Sequence, residues 1–131
     1  MSAVVVDANV VFEIVSSTAG SGSVAGLDMA APPLLWPEVR SALHVAMRRG
    51  LLDEVEARAS LVALESAPVR ERRHRKLGAE AWRIADELGW AKTYDAEYLA
   101  LASLLGAGLA TFDRRMVRAA ERLGIGVHAL A

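Results

Sequence analysis

Ala3-Val4-Val5-Val6-Asp7-Ala8-Asn9 is the stretch from which the fold can be read. Four uncharged, mostly β-branched residues suffice for a buried strand and are too few for a helix. Asp7 stands where that strand would leave a sheet, and Val10-Val11-Phe12 begins a second apolar stretch. In open α/β sheets, ligands bind at the carboxyl edge of the strands. An Asp in that place also commonly caps the next helix. Asp7 therefore has two readings until the other acids are considered.

Outward from this strand, the chain alternates between helical and extended patterns. Val10 to Ser16 reads as a short helix and Ser16 to Ser23, rich in Gly and Ser, as a flexible loop. A second short helix is expected over Val24–Met29, and a short strand within Ala30–Leu35 only after Pro32 and Pro33. Trp36-Pro37-Glu38 opens a helix that Gly50 ends; its apolar stripe is Val39, Ala42, Leu43 and Ala46. Asp53 caps a helix running to about Ser66, stopped by Pro68. Leu77–Leu88 is helical and ends at Gly89, and Tyr94–Leu105 is a helix apolar nearly all round, hence buried. Within it, Asp95 starts a core-facing row with Tyr98, Leu99 and Ala102.

A second clear strand, Gly108–Phe112, is followed directly by Asp113, as the first is by Asp7. A helix over Arg114–Leu123 and a weak last strand near Val127-His128 complete the chain. Strands alternating with helices argue for α/β architecture, a parallel sheet with helices on both faces.

The 131 residues make one domain, 1–131, and a 53 % hydrophobic content fits a packed globule. No apolar run is long enough to span a membrane, and Met1-Ser2-Ala3 carries no basic leader. With no cysteine there are no disulfides or thiolate metal sites, which fits a cytoplasmic protein. His44, His74 and His128 share no ligand spacing, so zinc is not expected. The net charge of −1 is unevenly spread: Arg70-Glu71-Arg72-Arg73-His74-Arg75-Lys76 is locally +4, leaving −5 elsewhere.

Asp7, Glu38, Asp95 and Asp113 form a set. Two follow strands, and two lie in the first turns of helices expected to begin at the same sheet edge. Each has a private explanation as a cap or dipole acid, but clustered carboxylates repel and resist burial. No Lys or Arg adjoins Asp7, Glu38 or Asp95 in sequence, and helix geometry is expected to turn Arg114 and Arg115 away from Asp113. A hard divalent cation resolves the repulsion: Mg²⁺ binds through a few carboxylates, waters and substrate phosphate. Two such ions about 4 Å apart activate water and stabilise the leaving oxygen in phosphodiester cleavage.

The motifs Val5-Val6-Asp7-Ala8-Asn9, Pro37-Glu38-Val39, Thr93-Tyr94-Asp95-Ala96-Glu97-Tyr98-Leu99-Ala100-Leu101-Ala102 and Ala110-Thr111-Phe112-Asp113-Arg114-Arg115 occur in this order across essentially the whole chain. In them the chain resembles PIN-domain ribonucleases, above all the VapC-type toxins of bacterial toxin–antitoxin pairs. That resemblance implies a PIN-like three-layer α/β/α fold with a central parallel sheet of about five strands. It also implies Mg²⁺ or Mn²⁺ held by Asp7, Glu38, Asp95 and Asp113, and endonucleolytic cleavage of RNA. A cognate antitoxin and a homodimer belong to the same implication.

Asn9 and Thr111 are polar neighbours expected to hold the acids in place, or else to make ordinary turn and strand-end hydrogen bonds. The Arg70–Lys76 segment, with Arg72, Arg73 and Arg75 as its RNA-facing candidates, fits a phosphate backbone or a plain solvated surface. Trp90 is assigned to packing with base stacking as its alternative, and Trp36 and Trp82 to packing. Glu97 is left out because it points about 200° around the helix from Asp95. Two other functions compete. One is a receiver-type phosphoryl-signalling domain, disfavoured by Asp7-Ala8-Asn9 in place of paired acids. The other is a PIN fold used only to bind protein, disfavoured by the intact acidic set.

Overall fold

The computed structural model of the protein describes residues 3–17, 24 and 26–130. The opening strand, β1 (Ala3–Val6), is buried from Val4 onward. Asp7 turns it into α1 (Ala8–Ser16) by capping that helix: its Oδ1 accepts the Val10 N–H at 3.2 Å. The loop read over Ser16–Ser23 lies mostly outside the described residues, Ser16 and Ser17 being the end and cap of α1.

The next strand corrects two expectations. β2 (Asp28–Ala31) precedes the prolines, where Met29 was expected to close a helix. Alanines are weak strand formers, but packing in the sheet interior overrides propensity. Ala30 and Ala31 are fully buried, and β2 pairs with β1 along Ala3↔Asp28, Val4↔Met29 and Val5↔Ala30. Pro32, which lacks an N–H, stands just past the end of the strand.

Helix α2 (Leu35–Arg48) buries Leu35, Val39, Leu43 and Ala46. Its partner α3 (Glu54–Glu65) begins in a capping box: Asp53 Oδ1 accepts from Glu56 N–H at 2.8 Å, and Glu56 Oε1 from Asp53 N–H at 3.0 Å. The basic run then supplies an unforeseen strand, β3 (Val69–Glu71). Only Val69 is buried, which is all an edge strand requires, and charge on an edge discourages pairing with other chains. One nitrogen of Arg70 reaches both oxygens of Asp28, at 2.6 and 2.7 Å, tying the edge strand to β2.

Helices α4 (Leu77–Leu88) and α5 (Tyr94–Leu105) pack on each other, and α5 lies on the sheet with Ala96 and every residue from Tyr98 to Ala102 buried. Removing side chains such as Leu99 and Leu101 from water contributes about 1.5–3 kcal/mol each. Between the two helices, Gly89 adopts a left-handed φ of 71° and Trp90 N–H bonds Ala85 O at 2.8 Å, which aims the connection toward Asp95. The next strand, β4 (Gly108–Ala110), is shorter than expected: Thr111 and Phe112 separate it from Asp113, which caps α6 (Arg114–Arg122). A two-residue strand, β5 (Val127–His128), ends the fold.

All pairings are parallel and the strand order is β3-β2-β1-β4-β5. Right-handed crossovers then place α1, α2 and α3 on one face and α4, α5 and α6 on the other, giving three layers. The receiver alternative is overturned by this order, because receiver-type sheets run 2-1-3-4-5. From β1 the chain winds one way, and from β4 the other. The crevice past the carboxyl ends of β1 and β4 is therefore the topological switch point, where open α/β sheets bind ligands.

Candidate active site

Val6 pairs with Ala110, so Asp7 and Thr111 emerge side by side at the switch point. Asp7 is 6 % exposed, and its Oδ2 accepts a hydrogen bond from the Thr111 hydroxyl. The same hydroxyl oxygen accepts the Asp113 backbone N–H at 3.0 Å. One buried threonine thus joins two of the four acids. Burial holds the Asp7 carboxyl above its ordinary range; its bonds from Thr111 and Val10 oppose this, and the charges of Asp113 and Asp95 add to it.

Glu38 lies in the first turn of α2, and its Oε1 accepts from the Tyr98 hydroxyl at 2.5 Å. It too is held above the usual carboxylate range, by burial first, against the Tyr98 bond and with the help of Asp95. Tyr98 is 1 % exposed; burial and the neighbouring carboxylates push its phenol far above normal, so it stays a donor. Asp7 thus feels the charges of Asp113 and Asp95, and Glu38 that of Asp95.

Asp95 is not buried along with the row it starts: its side chain is 47 % exposed at the mouth of α5. Its Oδ2 lies 3.4 Å from Arg115 Nη1. This corrects the expectation that Arg115 turns away. Asp113 uses Oδ1 to accept Arg115 N–H at 2.8 Å, which starts α6. The guanidinium stacks 3.9 Å from the centroid of the Trp90 ring. Glu97 is held above its ordinary range by burial first and then by the charge of Glu38.

Cap and functional readings coincide at Asp7 and Asp113, each of which caps a helix while facing the crevice. Among the described residues, no three His, Asp or Glu side chains are gathered tightly enough to hold a metal ion. Each acid is instead occupied locally by Thr111, Tyr98, Arg115 or a helix N–H. The donor set nevertheless fits a hard cation. It is all carboxylate oxygen, and two of its members are held above their ordinary range, a penalty that a cation would remove.

Asn9, exposed in the first turn of α1, borders a groove with Glu38 and has no hydrogen bond to an acid among the described residues. Trp90 and Trp36 pack against the core as expected, but Trp82 is 71 % exposed, which corrects its assignment to packing. The basic run divides. Arg70 pairs with Asp28 and Arg73 with Glu71, while Arg72, Arg73 and Arg75 follow the carboxyl end of β3, at the same sheet edge as Asp7.

Sequence reasoning missed Tyr98 and Arg115 as members of the site. A tyrosine on a fully buried helix must find a partner for its hydroxyl, which was a usable signal. Arg115 carried none, because its side-chain partners Asp95 and Trp90 are remote from it in sequence.

The PIN domain family model matches residues 4–122. The chain belongs to the PIN-domain family. This PIN domain is 35 % identical over 121 residues to Ribonuclease VapC3 of Mycobacterium tuberculosis, in each of two strains, covering 88 % of this chain and 86 % of that protein. Its backbone is similar to that in the crystal structure of FitAcB from Neisseria gonorrhoeae, with a TM-score of 0.66, 17 % identity and 96 % of both chains covered. The predicted α/β/α fold with five parallel strands is thus the PIN fold.

Proposed function

We propose that this PIN domain is a divalent-metal-dependent endoribonuclease and the toxin of a toxin–antitoxin pair. The observation that supports the reading is the Thr111 hydroxyl joining Asp7 to Asp113 at the switch point, with Glu38 and Asp95 in the first turns of two further helices and all four acids at separate helix starts. The 35 % identity to a protein named as a ribonuclease supports RNA as the substrate.

The four acids would hold Mg²⁺ or Mn²⁺ through oxygen. Such an ion supplies a water acidic enough to attack phosphorus at neutral pH and neutralises charge on the leaving oxygen. The chain's own contribution is positional. Thr111 fixes Asp7 relative to the Asp113 backbone, and Tyr98 aims Glu38. Arg72, Arg73 and Arg75 follow the carboxyl end of β3, two strands from β1, and would track the RNA backbone.

Purified protein should cut single-stranded RNA with Mg²⁺ or Mn²⁺ and stop in EDTA. In the same assays, Arg72, Arg73 and Arg75 changed together to Ala should weaken RNA binding and flatten its salt dependence, by about one unit of slope per lost phosphate contact. Cleavage that persists in EDTA, or in Asp95→Asn, sinks the mechanism; an unaltered salt slope returns the cluster to solvent.

For the antitoxin, the surface suggests a path. A groove of about 310 Å³ between α2 and α3 is lined by Arg40, Leu43, His44, Met47, Ala57 and Leu61. On another side of α2, a groove of about 470 Å³ runs from Val45 and Leu51 past Phe12 to Asn9 and Glu38. A partner segment laid on these apolar walls would reach the acids with a basic side chain. Co-expressed with the product of the adjacent short open reading frame, the protein should co-purify with it and lose activity; independent behaviour of the two would remove the antitoxin. A homodimer and a cytoplasmic location belong to the same reading. Among the described residues no helix is long and apolar enough to cross a membrane.

A further inference from the structure

A cavity of about 430 Å³ opens beside the acids, lined by Glu38, Asp95, Trp90, Lys92, Tyr94 and Arg115. Its lining mixes charge of both signs. Two carboxylates, Glu38 and Asp95, share the lining with two cations, Lys92 and Arg115, and two aromatic rings, Trp90 and Tyr94. Its volume suits a small polar ligand.

The arginine is the informative member. Stacking on Trp90 holds the guanidinium plane and leaves its edge donors available. Its only anionic partner among the described residues is Asp95, through one nitrogen at 3.4 Å, with both side chains about half exposed. Such a pair is weak and exchangeable. A cation on Asp95 would cancel the charge that attracts Arg115, while the Trp90 stack would keep the guanidinium in place. A planar fork held next to a phosphodiester-cleaving centre, with its acceptor easily lost, is prepared for a phosphate. Tyr94 presents a ring that is 55 % exposed at the lip of the same cavity. It begins α5 one residue before Asp95, where a base attached to that phosphate could stack.

We infer that this cavity is a nucleotide subsite: Arg115, braced by Trp90, takes the phosphate next to the scissile one, and Tyr94 stacks the attached base. The inference rests on the ribonuclease reading and names which side of the acids the RNA occupies. Lys92 adds a second positive charge at its wall.

The test is fluorescence anisotropy of a labelled short single-stranded RNA, with Mg²⁺ present, in an Asp7→Asn background that leaves the RNA uncut. Arg115→Ala should weaken binding roughly tenfold and lower the salt slope by about one. Arg115→Lys should restore the slope but not the full affinity, since an ammonium lacks the planar stack. Tyr94→Ala should weaken binding roughly tenfold with the slope unchanged, and Tyr94→Phe should bind like its parent. A free 5′-mononucleotide should compete with the RNA, and fail to do so in the Arg115→Ala protein. Arg118→Ala, on the same helix and exposed, is the control for general charge.

Equal losses in Arg118→Ala and Arg115→Ala, or full affinity in Arg115→Ala and Tyr94→Ala, would overturn the subsite while the parent still cuts RNA. If the parent neither cuts nor binds RNA, the ribonuclease reading falls and takes the subsite with it.

Discussion

Asp7→Asn should abolish RNA cleavage and raise the melting temperature of the metal-free protein at neutral pH. The activity loss should exceed about a hundredfold, the upper end of what losing a mere supporting bond to a metal site costs. The gain in stability follows from electrostatics. Asp7 is buried, faces the charges of Asp113 and Asp95, and has a folded pKa above its ordinary value. Between the unfolded and folded values the native state binds more protons than the unfolded one, so stability falls as pH rises through that window. Above it the full penalty is present, and Asn removes it. Asn also caps a helix as well as Asp does, so the start of α1 survives. Each kcal/mol is worth about 4 °C in a domain of this size.

The same sign governs pH. Metal-free parent should gain stability as pH falls from neutral through the window, whereas Asp7→Asn should gain less, with Glu38 and Glu97 supplying the remainder. Mg²⁺ at a hundred times its dissociation constant should stabilise the parent by about 2.7 kcal/mol and the variant by less. Thermal melts of both proteins, with EDTA and with metal across pH, decide the matter. A variant melting well below the metal-free parent would mean that Asp7 serves the fold through its bonds to Val10 and Thr111 and not a metal.

Tyr98→Phe should move the acidic limb of the cleavage–pH profile to higher pH. The Tyr98 hydroxyl is what opposes the burial-driven rise at Glu38. Without it, the half-buried carboxylate keeps its desolvation cost and loses its donor, and its folded pKa climbs further. Glu38 would then be protonated, and lost as a ligand, at a pH where the parent is still active. Metal affinity should fall about tenfold, the lower end for loss of a group that orients a ligand. Stability should fall by about 1.5–3 kcal/mol at neutral pH, the range for a hydrogen bond to a charged group. That deficit should shrink in acid, where Glu38 is neutral in both proteins. Cleavage rates and melts across pH check both statements. An unshifted limb with lowered stability would make Tyr98 a core residue and nothing more.

The two faces of this site were legible to different degrees. Val4-Val5-Val6 and the buried run from Tyr98 to Ala102 declare themselves because burial on all sides demands apolar residues without a break. Each acid alone reads as a helix cap or first-turn acid; it is the recurrence of four of them at strand ends and helix starts that singles them out. β2 and β3 were not legible. Asp28-Met29-Ala30-Ala31 lacks β-branched residues, and Val69-Arg70-Glu71 is mostly charge. Each is a strand only because a neighbouring strand supplies its hydrogen bonds.

Local chemistry in the sequence therefore determined the long helices, the caps at Asp7, Asp53 and Asp113, the first strand and the four acids. Those features follow from residues within a turn or two of each other. Only the tertiary structure decided the strand order, the switch point between β1 and β4, and the partners of the acids. Thr111 meets Asp7 across 104 residues of chain and Tyr98 meets Glu38 across 60. Arg115 meets Asp95 across 20 residues of chain and stacks on Trp90. Side-chain pairs of that separation are set by register and layer packing, which no local pattern encodes.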